Sequence, residues 1–238
     1  MADKWSVSTL PIEELTLSDE TEATADHVQI FDIATVKKWF RLIEDGVPED
    51  VALELLEKEA NATEAPEEYK GCMDETGSGF SFKGLTEAES KVIGMYCTET
   101  YQFYLCLNGD CRKQIWKKYR VYTSLLHSVC MKLRNMPFEK EVGEEFLYRG
   151  LHCNPPRNAA IDFCWPCFTS ATTKRGIAEW FGHTIIKLKS ETGAPVKEFS
   201  SFFEYEVLFS PFQVFKSRFM ENSQIYCSMP EDSIFFLR

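Results

Sequence analysis

Apolar positions along the chain keep two rhythms, and the change falls near residue 145. Before it they recur every three to four residues. In "DIATVKKWFRLIEDG", Val36, Trp39, Phe40 and Ile43 share one helix face, and Gly46 is placed to cap the end. "PEDVALELLEKEA" opens with Pro48, which suits a first turn, and directs Val51, Leu55 and Leu56 inward. Residues 61–81 are rich in Gly, Pro and acidic types and read as a loop. The helical rhythm resumes at Leu85. Thr86 followed by Glu89 has capping-box spacing and predicts a helix start. Asn108-Gly109 predicts a turn. Tyr122, Leu125, Leu126, Val129 and Leu133 then predict a longer helix, ended by Pro137.

After residue 145 the runs are short. "EFLYRGLH", "HTIIKLK", "EYEVLF", "FQVFKSRF", "QIYCSM" and "SIFFLR" predict strands bounded by Gly, Pro, Ser and Asn. One short helix, "TKRGIAEWFG", lies among them, and Trp180 and Phe181 are expected to pack it against the sheet, with stacking of an aromatic there on a ligand ring as the alternative. Phe212 and Phe215 read as core strand residues. Helices first and strands later predict an α+β fold rather than alternating βαβ units. A boundary near residue 80 divides an acidic, flexible N-terminus with a two-helix extension (1–80) from a second domain (81–238).

Charge and composition narrow the function. The 238 residues carry a formal charge of −11, the wrong sign for a general electrostatic binder of nucleic acid. No apolar run approaches the ~20 residues needed to span a bilayer. The start, "MADKWSVSTLPIEEL", lacks the basic-then-apolar pattern of a cleaved signal. A cytoplasmic setting is therefore expected, with export by a route that cleaves no signal as the alternative. Nine cysteines, an odd and scattered set, argue against a disulfide framework. Cys164 and Cys167 form a C-x-x-C, but helix signals begin several residues later than a thioredoxin-type pair requires. With His152 and Cys153 they suggest zinc only weakly, because no second paired motif is present. The four histidines have no hydrolase spacing. No glycine-rich phosphate loop of either common type is present.

The segment "FEYEVLFSPFQVF" holds two carboxylates, Glu204 and Glu206, in an apolar run. Strand alternation predicts that they point the same way. Read alone, they are a solvated edge or a paired-carboxylate site. Arg149 in "LYRGLH" is a surface arginine or a phosphate grip. Thr169, Ser170, Thr172 and Thr173 stand at a strand-to-helix junction, as a cap or as pocket hydroxyls.

Taken in order, "LYRG" at 147–150, "FTSAT" at 168–172 followed by "AEWF", and "EYEVLFSPFQVF" at 204–215 resemble the Arg-Ser-Glu class of mono-ADP-ribosyltransferases, close to the animal arginine-specific and clostridial-toxin-like branch. "GLTEAESKVIGMYC" and "LHSVCMKLRNMP" resemble the helical lead of that family, and the resemblance covers roughly residues 83–238. Ala171 and Thr172 stand where the family usually has Thr and Ser. The resemblance implies a helical part followed by a mixed, mainly antiparallel core of two sheets. It also implies NAD as substrate, no metal, and transfer of ADP-ribose to a protein, with arginine the first acceptor. Alternatives are a threonine acceptor, hydrolysis of NAD to free ADP-ribose, or a non-catalytic partner-binding module. By the same resemblance, Glu206 stabilises the charge that builds on the ribose, and Glu204 faces the acceptor. Arg149 holds the pyrophosphate, Ser170 fixes the nicotinamide end and Glu206, and Gly150 lets the backbone approach the nicotinamide amide.

Overall fold

The computed structural model describes residues 33–43, 46–76, 82–98, 100–138, 145–152, 162–190, 192–200, 205–221 and 224–228. Helices come first: α1 (Ile33–Ile43), α2 (Ala52–Ala60), α3 (Glu67–Glu75), α4 (Glu87–Tyr96), α5 (Phe103–Arg112) and α6 (Arg120–Leu133). Then follow β1 (Leu147–Leu151), β2 (Asp162–Cys164), β3 (Thr169–Thr172), the short α7 (Arg175–Ala178), β4 (Thr184–Lys189), β5 (Ala194–Pro195), β6 (Glu206–Phe209), β7 (Val214–Glu221) and β8 (Gln224–Ser228). The α+β order predicted from the rhythm change is the one observed. The strand expected at "SIFFLR" lies outside the described residues.

The described strands form one sheet, in the order β2-β7-β8-β4-β1-β3-β6-β5. β4 and β8 run parallel and the other pairs antiparallel. The expected two sheets are therefore one. The reason lies in β1, which is bonded on both sides: along its length to β4, and through Tyr148 opposite Thr172 to β3.

Two local readings fail in informative ways. Residues 67–75 are helix α3, not loop. Pro66 precedes its first turn, and Tyr69, Cys72 and Met73 bury one face despite the acidic neighbours. Asn108-Gly109 lies inside α5, because Phe103, Leu107 and Cys111 on either side are buried and hold the helix through it. An Asn-Gly pair is a local preference of about 1 kcal/mol, less than one fully buried side chain contributes.

The helices and the sheet share one core. Trp39 of α1 is fully buried against Trp116, Phe168 and Phe212, with ring centroids 5.7, 6.4 and 6.0 Å away. Tyr69 of α3 stacks on Phe103 at 4.4 Å and meets Tyr119 and Tyr122 edge-on.

Two polar devices fix the helices that carry the site. The capping box at α4 is complete: Glu89 N donates to Thr86 Oγ1, and Thr86 N to Glu89 Oε2. The same buried carboxylate accepts from Ser128 and Lys132 of α6 at 2.6 Å each, which locks α4 to α6. Glu59 of α2 accepts from the backbone amides of Val121 and Tyr122 and from the Tyr69 hydroxyl, so it caps the start of α6 from a neighbouring helix. Burial raises its carboxyl above the usual range. Cys164 and Cys167 are buried thiols.

Candidate active site

Three adjacent strands, β1, β3 and β6, each bring polar side chains to the same cavity. β3 and β6 pair with Ser170 opposite Leu208 and Thr172 opposite Glu206. Opposed residues share a face, and residues two apart on one strand share it too, so Ser170, Thr172 and Glu206 lie on one side of the sheet. Ser170 Oγ donates a short hydrogen bond to Glu206 Oε1 across that diagonal. Arg149 of β1 donates from Nη1 to the Ser170 carbonyl at 2.5 Å, and its guanidinium lies 5.5 Å from the Trp165 ring centroid.

The cavity has a volume of about 350 Å³, within the range of small-molecule sites. Arg149, Gly150, Ser170 and Glu206 all line it. Four of the five residues singled out in the sequence thus converge. The fifth, Glu204, lies outside the described residues, as does Cys153. The strand alternation invoked for the two glutamates is not continued: β6 begins at Glu206, and Tyr205 before it is left-handed, with φ 50°. That turn is held by Thr173 N donating to the Tyr205 carbonyl at 3.2 Å. The Lys174 and Lys197 ammonium groups lie 4.9 and 4.2 Å from the Tyr205 ring centroid.

The aromatic pair after α7 is not core. Trp180 is 78% and Phe181 51% exposed, and Phe181 lines the cavity mouth. The expected packing role fails because the α7 turn presses Ala178, not the aromatics, onto β1. Gly150 makes that contact possible: a Cβ there would stand 1.9 Å from the Ala178 carbonyl oxygen. Phe212 and Phe215 are both buried, but only Phe215 is in a strand: Phe212 lies in the turn before β7, with φ 60°.

The helices supply the rest of the wall. Tyr96 of α4 and Asn108 and Arg112 of α5 all line the cavity. None is prominent in the sequence, although the i, i+4 spacing of Asn108 and Arg112 places them on one helix face once α5 is known to be unbroken. Arg112 brings a second permanent positive charge to a cavity already holding Arg149. Burial, then the nearby Glu206 carboxylate, raise Tyr96 well above the usual phenol range. The Cys130 thiol of α6 is raised for the same two reasons. Deeper in the fold, His127 contacts Ser210 at 2.6 Å, and burial lowers its imidazole to about 4. It is therefore neutral at pH 7 and holds α6 to the end of β6. Among the described residues no cluster of His, Cys, Asp and Glu is arranged to hold a metal, and no helix is long and apolar enough to cross a membrane.

No curated protein sequence matches the chain significantly. Among solved structures, the chain is similar to a mutant of the eukaryotic mono-ADP-ribosyltransferase ART2.2 in complex with NAD. That pair has 20% identity over 87% of this chain and 93% of that one, with a TM-score of 0.60. It is also similar to the type III effector XopAI from Xanthomonas axonopodis pv. citri, with 16% identity over 87% and 96% of the two chains and a TM-score of 0.56. A third similar structure is exoenzyme S from Pseudomonas aeruginosa, in complex with human 14-3-3 protein beta and bound to carba-NAD. There the identity is 15% over 75% and 88% of the two chains, with a TM-score of 0.55. At these identities the likeness establishes the fold. The model of the family described as NAD:arginine ADP-ribosyltransferase matches residues 54–229, which span most of the chain and include Arg149, Ser170 and Glu206. The chain belongs to that ADP-ribosyltransferase family.

Proposed function

We propose that the chain cleaves NAD between nicotinamide and ribose and transfers the ADP-ribose to a protein side chain, with arginine as the acceptor. The observation that carries this reading is the Ser170–Glu206 hydrogen bond inside a cavity that also holds Arg149 and Arg112. One carboxylate beside two guanidinium groups suits a ligand that is anionic at its pyrophosphate and turns cationic at its ribose.

As the glycosidic bond stretches, its electron pair leaves with nicotinamide and positive charge builds on the ribose ring. Glu206 is placed to stabilise that charge, and Ser170 to hold the carboxylate in one orientation. Arg149 and Arg112 take the two phosphates as charge-assisted partners. Phe181, exposed at the mouth, offers an apolar face to a planar ring. The acceptor nitrogen then bonds to the ribose carbon and gives up a proton. A guanidinium is a poor nucleophile while charged, since its pKa exceeds ~12. Glu204, immediately before the left-handed Tyr205, is assigned to orient it and draw off that proton.

The assignment is tested by incubating the chain with labelled NAD and cell lysate, and mapping the modified side chains by mass spectrometry. Label on arginine is expected. Glu204→Ala is expected to lose transfer while nicotinamide release continues with water as acceptor. Label confined to threonine or another side chain would overturn the arginine assignment. Release of free ADP-ribose with no labelled protein would make the chain a hydrolase.

A further inference from the structure

Glu206 opens β6, and the chain enters that strand through a costly conformation. Tyr205 is left-handed, with φ 50°, where a Cβ crowds the backbone. Two backbone bonds meet there: Thr173 N donates to the Tyr205 carbonyl at 3.2 Å, and Val196 N to the Glu206 carbonyl at 3.0 Å. In the sheet, β6 lies between β3 and β5. Lys174 stands two residues past the end of β3, and Lys197 two residues past the end of β5. Their ammonium groups lie 4.9 and 4.2 Å from the Tyr205 ring centroid, inside the ~6 Å reach of a cation–π contact. Each strand that flanks β6 thus sends one cation to the same ring. Tyr205, Lys174 and Lys197 stand outside the cavity lining. Whatever they contribute to the reaction passes through a neighbour that lines it, and Glu206 is the one joined directly to Tyr205.

We propose that Tyr205 is a positioning residue of the active site: clamped between Lys174 and Lys197, it pins the start of β6 to both neighbouring strands and so keeps the Glu206 carboxylate on the Ser170 hydroxyl. This rests on the transferase reading given above. Ser170 pairs with Leu208, two residues along β6 from Glu206. A start of β6 that frays would draw Glu206 away from the serine while Val207, Leu208 and Phe209 stay buried in the core. The ends of an element open more readily than its middle. The clamp closes that route at the residue where displacement matters most, since moving a reacting group by about 1 Å can cost about 10²-fold in rate. The effect falls on the step where charge develops, not on the grip of the dinucleotide by Arg149 and Arg112.

The test is steady-state nicotinamide release from NAD by variants of the full chain. Tyr205→Leu removes the aromatic face and is expected to lower kcat roughly tenfold, the scale of two cation–π contacts, while KM stays within about twofold. Tyr205→Phe keeps the face and is expected to stay within about twofold of the parent. Tyr205→Gly separates ring from backbone. Glycine adopts a left-handed φ freely, yet this variant is expected to lose kcat as Tyr205→Leu does. Lys174→Gln combined with Lys197→Gln is expected to match Tyr205→Leu, and to cost nothing further in a Tyr205→Leu background, because the same contacts are already gone. Lys38→Gln is the matched control: its ammonium lies 5.8 Å from the Trp116 ring centroid, and neither residue lines the cavity. It is expected to leave kcat within about twofold. The proposal is overturned if Tyr205→Leu or Tyr205→Gly keeps full kcat, if Tyr205→Phe loses as much as Tyr205→Leu, if the loss from the paired lysine changes persists in full without the ring, or if Lys38→Gln loses as much. A parent chain that releases no nicotinamide overturns the transferase reading, and the proposal with it.

Discussion

Replacing Glu206 with Gln is expected to cut nicotinamide release from NAD by about 10²–10³-fold while the chain stays folded. The substitution keeps the shape of the side chain and an oxygen for Ser170 to donate to. It removes only the charge. If Glu206 served to pin β6 to β3, Gln would do nearly as well, since the Val207 and Leu208 pairings to β3 involve backbone alone. If its charge answers the positive ribose, Gln fails. Chromatographic assay of nicotinamide, with far-UV circular dichroism as the fold control, separates the two. Full activity in Glu206→Gln would remove Glu206 from the chemistry.

Gly150→Ala is expected to destabilise the whole chain by about 3 kcal/mol or more, in the upper range for a single substitution. The added carbon would stand 1.9 Å from the Ala178 carbonyl oxygen and 3.0 Å from Gly182 N. Both obstacles are backbone, so no rotamer relieves them. Gly182 repeats the constraint from the other side, where a Cβ would stand 2.1 Å from the Leu151 carbonyl. Two glycines thus let the α7 turn lie directly on β1, next to Arg149. For a chain of this size the loss corresponds to a drop of roughly 6–12 °C in unfolding midpoint. Scanning calorimetry checks it, and an unchanged midpoint would mean that β1 and α7 separate easily. The resemblance assigns this glycine to close approach of a ligand; the fold demands it independently.

The legible parts of the chain were those whose signal is local and redundant. Thr86 and Glu89 announced α4 three residues apart, and both halves of the box are made. The five apolar positions of α6 kept a clear stripe, and all five are buried. Arg149, Ser170 and Glu206 stood out because each sits in a short strand or turn motif whose order resembles a known family. The parts that stayed hidden depend on tertiary contacts. Nothing near Asn108-Gly109 says that Leu107 and Cys111 are buried, so a turn signal stood unopposed. The acidic run around Tyr69 masks a helix whose partners, Phe103 and Tyr119, are more than thirty residues away in sequence. Trp180 and Phe181 look like core in any one-dimensional reading, yet the packing contact is made by Ala178 between β1 and the turn. Tyr96, Asn108 and Arg112 were silent for the same reason: a helix face becomes a cavity wall only once the sheet stands opposite it.

NAD is expected to enter the cavity bounded by β1, β3, β6, α4 and α5 with its reacting ribose at Glu206. A crystal structure of the Glu206→Gln chain soaked with NAD tests it most directly. The pyrophosphate is expected against Arg149 and Arg112, and the nicotinamide-side ribose within hydrogen-bonding distance of residue 206. NAD bound elsewhere on the molecule, or reversed so that adenine lies beside residue 206, would contradict it.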